Sequence, residues 1–363
     1  MTDDRLPIVL ATDSAVPSGV GEHMLTLAGA LCATHEVALA FPSRGDGVRF
    51  LARAGEAGFE THALGDDEAF ARWLGLRRPA ILHVHAGIGW EGHELVEAGW
   101  LAGIPVLRTE HLPYLITDPE QQARHLMTVR LADALIVVSD AAAESYRDKG
   151  FSRVITIRNG IEMPAARCSR GETRAALAIS DDTPVGLTVA RFTAQKGHDC
   201  LLRAAAEVSR QVPRLHFLLV GDGPEREQMR SLAASLDLRN VTFLGQRPDV
   251  PDLIAAADLL VLPSLFEGLP LAVLEAMALD LPVVATRIGG TVEALGDDHP
   301  FLVPPGDPLR LAAMIETALA DVDMLRLAAS RGRQRFEERF TAVRMGRETA
   351  ALYQSITEGM CAA

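Results

Sequence analysis

Two glutamates frame the part of the chain best suited to hold an anion. Glu267 and Glu275 have seven residues between them within FEGLPLAVLEAMALDLPVVATRIGG. Pro270 stands where a first helical residue is favoured, since proline has no N–H to lose there, so the pattern predicts a helix from about Pro270. The N–H groups of residues such as Leu271 and Ala272 then lack intrahelical partners at the positive end of the helix dipole, which makes an anion site. Glu275 falls four residues after Leu271, on the same helix face. The dipole alone favours a glutamate early in a helix, but the otherwise apolar LAVLEAMAL leaves Glu275 little to bond except a polar ligand. Arg191 and Lys196 lie in the loop RFTAQKG, after the strand-like run from Val185 to Ala190. Each alone reads as solvated surface, yet both can face that helix N-terminus from a strand of the same sheet. At about 4 Å and an effective dielectric near 20, each would attract a phosphate by roughly 4 kcal/mol.

Other polar clusters follow strand-like runs in the first half. His83-Val84-His85 alternate, placing both imidazoles on one face, but no acid or cysteine nearby completes a metal-ligand set. No metal site is expected, and a strand-end cleft role is the alternative. Thr109-Glu110-His111 ends another run, and taken alone His111 is a polar loop residue. Gly19 and Gly21 precede a helix expected from Gly21 to Ala33 and read either as a tight turn or as a loop admitting a ligand phosphate. A dinucleotide fingerprint would need a glycine where Met24 stands and an acid after the second strand, where Phe41, Pro42 and Ser43 are found. Asp321-Val322-Asp323 sits among helical residues, where i and i+2 do not share a face, and reads as surface.

The elements that must position these residues alternate strand and helix. Strand-like runs are Pro7 to Thr12, Glu36 to Phe41, Ala80 to Val84, Ile104 to Thr109, Ala134 to Ser139 and Val154 to Ile157. After a linker from Arg158 to Thr183, they resume at Val185 to Ala190, Leu215 to Val220, Val241 to Leu244 and Asp258 to Leu262. Alternation of this kind predicts parallel sheets with helices on both faces, with ligands beyond the carboxyl ends of the strands. At 363 residues the chain suits two domains. Its net charge is −13, with Asp and Glu outnumbering Lys and Arg in both halves, which argues against nucleic acid as a partner. Cys32, Cys168, Cys200 and Cys361 lie far apart and read as free thiols of a reducing compartment. The acidic N-terminus does not look like a signal peptide, and no run approaches 18 apolar residues.

The segment from Glu267 to Glu275 and its surroundings resemble the paired-glutamate signature of glycosyltransferase family 4, retaining enzymes that use nucleotide-sugar donors. RFTAQKG resembles that family's G-R-L-x-x-x-K-G loop, with Ala190 and Phe192 replacing the usual glycine and leucine. Thr109-x-His111 is similar to its Thr-x-His, and Asn159-Gly160-Ile161 to the turn that closes its first domain. The likeness runs nearly the whole chain and is strongest from Val185 to Gly290.

It implies an α/β fold of GT-B architecture, two doubly wound Rossmann-like domains facing an interdomain cleft. The domains would be an acceptor-side domain over 1–165, a nucleotide-sugar domain over 166–340, and a terminal helix over 341–363 crossing back to the first. It also implies transfer of a hexose-type sugar from a nucleotide-diphosphate sugar, UDP favoured on family frequency, with retention and without a metal or other cofactor. In that reading Arg191 and Lys196 stabilise the leaving diphosphate, backbone at Gly268, Leu269, Pro270 and Leu271 holds phosphate, and Glu275 binds ribose. Glu267 binds the donor sugar and His111 faces it. The loops at Gly19 and Gly21, at Gly221-Asp222-Gly223 and at Gly245-Gln246-Arg247 would complete the donor side. A glycan, lipid-linked or small-molecule acceptor is implied, and a cytoplasmic location. Arg124, His125 and Arg130 are candidates for peripheral contact with the inner face of a membrane. A nucleotide-sugar epimerase of the same fold, or a non-catalytic sugar-nucleotide binding module, is the alternative.

Overall fold

Short apolar runs bounded by turns become parallel strands, because a strand covered on both faces has no polar side to alternate with. The computed structural model describes residues 5–361, except the side chains of Asp67, Met360 and Cys361, so the thiol reading of Cys361 lies outside the described residues. Cys32, Cys168 and Cys200 are free thiols. The chain forms two units, Met1–Glu162 with Phe340–Ala363, and Met163–Arg339.

The first unit holds β1 (Leu6–Ala11), β2 (His35–Pro42), β3 (Glu60–Leu64), β4 (Ile81–Ala86), β5 (Val106–Glu110), β6 (Ala134–Val137) and β7 (Val154–Thr156). They pair in parallel in the order β3-β2-β1-β4-β5-β6-β7. β3 escaped the sequence reading because its five residues, ETHAL, are exposed or half-buried at the sheet edge and form no apolar run. The period-two alternation of β1 sends Ile8 and Leu10 to one core with Met24, Leu27 and Phe50, and Val9 and Ala11 to another with Val84, Leu95 and Val96.

The helix Ser18–Leu31 begins three residues earlier than expected, so Gly19 and Gly21 lie in its first turn and not in a loop before it. The terminal helix Ala342–Cys361 belongs to this unit and buries Tyr353 in the Ile8–Leu10 core. Gly160 allows the chain to meet it. A Cβ there would stand 2.3 Å from the Thr341 carbonyl oxygen, and Ile161 exchanges hydrogen bonds with Phe340 and Ala342 on either side.

The second unit holds β8 (Val185–Val189), β9 (His216–Val220), β10 (Val241–Gly245), β11 (Leu259–Leu262), β12 (Val283–Thr286) and β13 (Leu302–Val303), again all parallel, in the order β10-β9-β8-β11-β12-β13. Two residues are too few for β13 to show in sequence. Strand order reverses between β1 and β4 in one sheet and between β8 and β11 in the other. Those reversals open the crevice where doubly wound sheets take ligands, just past the carboxyl ends of the flanking strands. In the second unit they point to the loops starting at Ala190 and Pro263. Among the described residues no helix is long and apolar enough to cross a membrane.

Candidate functional site

In the second unit, the loop after β8 closes with a short 3₁₀ turn, Ala194–Lys196, before the helix His198–Gln211. Gly197 makes the join: its φ is +65°, and a Cβ would lie 2.2 Å from the carbonyl oxygen of Pro263 at the end of β11. The two loops are then stitched together. Leu265 N–H donates to the Gln195 carbonyl at 2.7 Å, and the Gln195 amide donates to the Phe266 carbonyl at 2.9 Å. Lys196 Nζ donates to Glu267 Oε1 at 2.5 Å, and the Ser264 hydroxyl donates to the same oxygen at 2.8 Å. Glu267 is buried with only 5% of its side chain exposed, against 20% for Lys196. Thr286 Oγ1 holds the Ser264 carbonyl at 2.5 Å, so β12 braces the loop from behind.

The helix beyond this loop is Leu271–Ala278, and Pro270 sits one position before it in extended conformation, as its cap. Its first backbone bonds run from Val273 and Leu274 to the Pro270 carbonyl, leaving the N–H groups of Leu271 and Ala272 without backbone acceptors among the described residues. Gly290 lets the turn after β12 press against Gly268, whose carbonyl oxygen would be 2.5 Å from a Cβ. Glu275 is half-buried in the second helical turn.

The remaining donor-side candidates of this unit divide. Gly221, at φ +134°, is where a Cβ would stand 2.0 Å from the Ala190 carbonyl oxygen, and Phe192 N–H donates to the Asp222 carbonyl at 3.0 Å. The GDGP turn therefore shapes the backbone carrying Arg191. Arg191 itself is half-buried and makes no ion pair among the described residues, whereas Arg247 is held in a two-pronged pair by Asp249, at 2.7 and 2.6 Å. The D-x-D sits at a helix junction: Asp321 Oδ1 accepts from the Met324 N–H at 2.9 Å, and Asp323 is exposed.

In the first unit, alternation along β5 splits a run of polar side chains between two faces. Arg108 and Glu110 point one way and form a buried ion pair at 2.6 Å, with Arg108 also donating to the Gly89 carbonyl at 3.3 Å. His125 Nδ1 donates to that same carbonyl at 2.8 Å and is fully buried, which removes it from the residues nominated for membrane contact; Arg124 is paired with Glu94 at 2.6 Å.

Thr109 and His111 point the other way. Thr109 Oγ1 lies 2.6 Å from His83 Nε2, whose Nδ1 meets the Tyr353 hydroxyl at 2.7 Å. His85 Nδ1 and His111 Nε2 are 3.3 Å apart, and the His23 ring packs edge-on to His111 at 4.6 Å between centroids. Burial holds all four imidazoles neutral: the pKa falls to about 4 for His23, to about 3 for His83, and well below the ordinary value for His85 and His111.

Several positioning residues escaped the sequence reading. Asp13 accepts the Gly92 N–H on both oxygens, and Glu91 accepts from the Gly87 N–H at 2.8 Å and the Ser14 hydroxyl at 3.0 Å. Burial raises both carboxyl pKa values. Their signal was available: each stands in the loop following β1 or β4, beside the strand-order reversal. Gln195 and Ser264 gave no such signal, being ordinary loop residues until the fold brings them to Glu267. Gly21 owes its identity to packing, since a Cβ would lie 2.5 Å from the Phe50 ring; around Gly19 there is open space.

Residues 17–163 match glycosyltransferase family 4, and residues 169–335 match glycosyl transferases group 1. The D-inositol 3-phosphate glycosyltransferase of Saccharomonospora viridis is 33% identical over 299 residues, covering 73% of this chain and 68% of that protein. The alpha-D-kanosaminyltransferase of Streptomyces kanamyceticus is 28% identical over 251 residues; the match covers 66% of this chain and 65% of that relative, just under two thirds of its length. Among solved structures, Anabaena HepE in complex with UDP-glucose superposes with a TM-score of 0.84 at 22% identity, over 97% of this chain and 100% of HepE. Sucrose-phosphate synthase of Thermosynechococcus elongatus does so with 0.77 at 24% identity, over 98% and 100%. Two doubly wound parallel sheets and these structural likenesses establish the GT-B fold, and with the sequence matches they lead to one conclusion: the chain belongs to glycosyltransferase family 4.

Proposed function

We propose that the chain transfers a hexose-type sugar from a nucleotide-diphosphate sugar, a UDP-sugar foremost, to an acceptor hydroxyl, with retention of anomeric configuration and without a divalent metal. The observation that carries this reading is the Lys196–Glu267 pair, built at the strand-order reversal next to the open N-terminus of the helix Leu271–Ala278. An ammonium has three donors, so Lys196 can keep Glu267 and still donate to a phosphate oxygen. Arg191, unpaired in this unit, supplies a second cation. Charge growing on the leaving diphosphate then meets fixed cations and helix N–H groups, which favours the transition state over the ground state. Glu267, oriented by Ser264 and Lys196, accepts hydroxyls of the donor sugar, and Glu275 those of the ribose. His111, neutral, takes the role on the donor sugar that the family resemblance implies. In retaining transfer the leaving phosphate takes up the acceptor proton as the new bond forms on the same face.

UDP is favoured because HepE, of the same fold, binds UDP-glucose. The relatives' names run from inositol 3-phosphate to lipopolysaccharide core biosynthesis, so the acceptor class stays a glycan, lipid-linked or small-molecule hydroxyl. The test is a thermal-shift screen with UDP, GDP, ADP, TDP and their sugar conjugates, followed by product analysis by NMR. Stabilisation by one nucleotide, lost in Lys196→Ala, and an axial product from an axial donor support the reading. Absence of stabilisation by every nucleotide, or an inverted product, overturns it.

A further inference from the structure

His111 stands directly after β5, and its backbone N–H donates to the Ala86 carbonyl at 3.0 Å, which sets it beside His85 at the end of β4. The two rings meet through His85 Nδ1 and His111 Nε2, 3.3 Å apart. Burial keeps both imidazoles neutral, so each carries one proton, and a single proton occupies the gap between them. Which ring owns it is decided at the far side of His85. Were His111 the donor, the His85 proton would sit on Nε2, which is buried without a hydrogen-bond partner among the described residues. A buried N–H with no acceptor is rarer in native proteins than an acceptor with no donor. The arrangement that leaves only a lone pair on Nε2 has His85 Nδ1–H donating to His111 Nε2, and the His111 proton on its own Nδ1.

Neither of the other two imidazoles competes for His111. The His23 ring packs edge-on to it, but Asn159 bonds one His23 nitrogen through its amide N–H, and the other, Nδ1, has no hydrogen-bond partner. His83 spends both nitrogens on Tyr353 and Thr109. His111 Nδ1, on a half-buried ring, makes no hydrogen bond among the described residues and reaches solvent.

We propose that His85 is a positioning residue: it holds His111 as the Nδ1–H tautomer, so that the nitrogen facing solvent can donate a hydrogen bond and cannot accept one. The consequence is a demand on the ligand. The atom that meets His111 must be an oxygen with a free lone pair, as in a hydroxyl, whereas a protonated amine there would set donor against donor. This demand rests on the donor-sugar role proposed for His111 above, while the tautomer stands apart from it.

The test uses the full chain labelled with ¹⁵N-histidine, without ligand, and long-range ¹H–¹⁵N spectra that separate protonated from bare ring nitrogens. His111 should show a protonated Nδ1 and a bare Nε2, with its signals identified by their loss in His111→Gln. His85→Asn places an amide N–H where Nδ1–H stood and should keep that tautomer; His85→Phe, which has no donor, should move the proton to Nε2. A bare Nδ1 on His111 in the unmutated chain overturns the proposal whether or not either variant folds, and so does a protonated Nδ1 retained in folded His85→Phe. Thermal-shift titrations then read the ligand. His85→Phe should raise the UDP-glucose concentration for half-maximal stabilisation by about tenfold, roughly one hydrogen bond, and leave that for UDP alone unchanged, with His85→Asn close to the unmutated chain. Equal UDP-glucose affinity in all three chains overturns the demand on the ligand. Absence of stabilisation by UDP and UDP-glucose alike in the unmutated chain tells against the donor reading instead, and the tautomer is still decided by the ligand-free spectra.

Discussion

Lys196 Nζ and Glu267 Oε1 meet at 2.5 Å across 71 residues of sequence. Each is the terminal charge of a loop that follows a central strand, and Gly197 and Ser264 are what let those loops touch. Removing the lysine leaves a nearly buried carboxylate with the Ser264 hydroxyl as its main partner, a cost of about 1–2 kcal/mol once the partial exposure of the pair is discounted. Lys196→Ala should therefore lower urea stability slightly while reducing kcat by roughly 10²–10³, the size of effect expected for one group aimed at developing charge. A kcat close to that of the unmutated chain would end the catalytic assignment.

Glu275 tests the donor side separately. Glu275→Ala should raise the donor KM by about tenfold, the worth of one charge-assisted hydrogen bond, and Glu275→Gln by less, because the amide still accepts from a hydroxyl. Equal effects of the two substitutions would make the carboxylate structural.

Backbone contact at the glutamate loop should be as unforgiving as its charges. A Cβ on Gly290 would lie 2.5 Å from the Gly268 carbonyl oxygen and 2.9 Å from that of Glu267. Gly290→Ala is expected to cost about 1–3 kcal/mol and to weaken donor binding by displacing that loop. Gly19→Ala, in a helical first turn with nothing within 4 Å, should be neutral or stabilising by up to about 1 kcal/mol. Paired thermal melts with and without nucleotide measure both.

Acid should weaken the second unit through His198. Its ring stacks on Phe192 at 4.1 Å, and burial, aided by the charge of Lys196, lowers its pKa to about 4. The unfolded chain, with a histidine pKa near 6.5, binds the proton first, so stability is lost as pH falls from about 6.5 toward 4. Between pH 7 and pH 5 the loss from this residue is about 2 kcal/mol, and His198→Phe should flatten that part of a urea-denaturation series. An unchanged slope would show that His198 ionises in the folded state.

Chelation bears on the transfer step itself. On the proposal that Arg191 and Lys196 supply the cations, turnover with a UDP-sugar and its acceptor should persist in excess EDTA. Activity lost to EDTA and restored by Mn²⁺ would refute a metal-free reaction.

Legibility followed burial and locality. The strands of both sheets with continuous apolar side chains showed in the sequence, whereas β3, half-exposed at an edge, and β13, two residues long, did not. The helix at Leu271 was readable from Pro270 and the glutamate spacing, because capping and dipole effects act within one turn of chain. Arg247 illustrates the limit. Its sequence neighbourhood says only that a cation ends a strand, and the pairing to Asp249 two residues on appears only once the turn has a shape.

By itself the sequence determined the alternation of strand and helix, the family signature, and the chemical types available: two glutamates, two loop cations, a histidine after a strand. Such features are local, set by propensity, spacing and the identity of each side chain. Tertiary structure alone decided which of these groups meet. It joined Lys196 to Glu267 and Ser264, turned Arg108 and Glu110 away from Thr109 and His111, and brought His23 to His85. Those contacts depend on strand order and on close backbone approaches at Gly197 and Gly290, which are consequences of packing whole elements together.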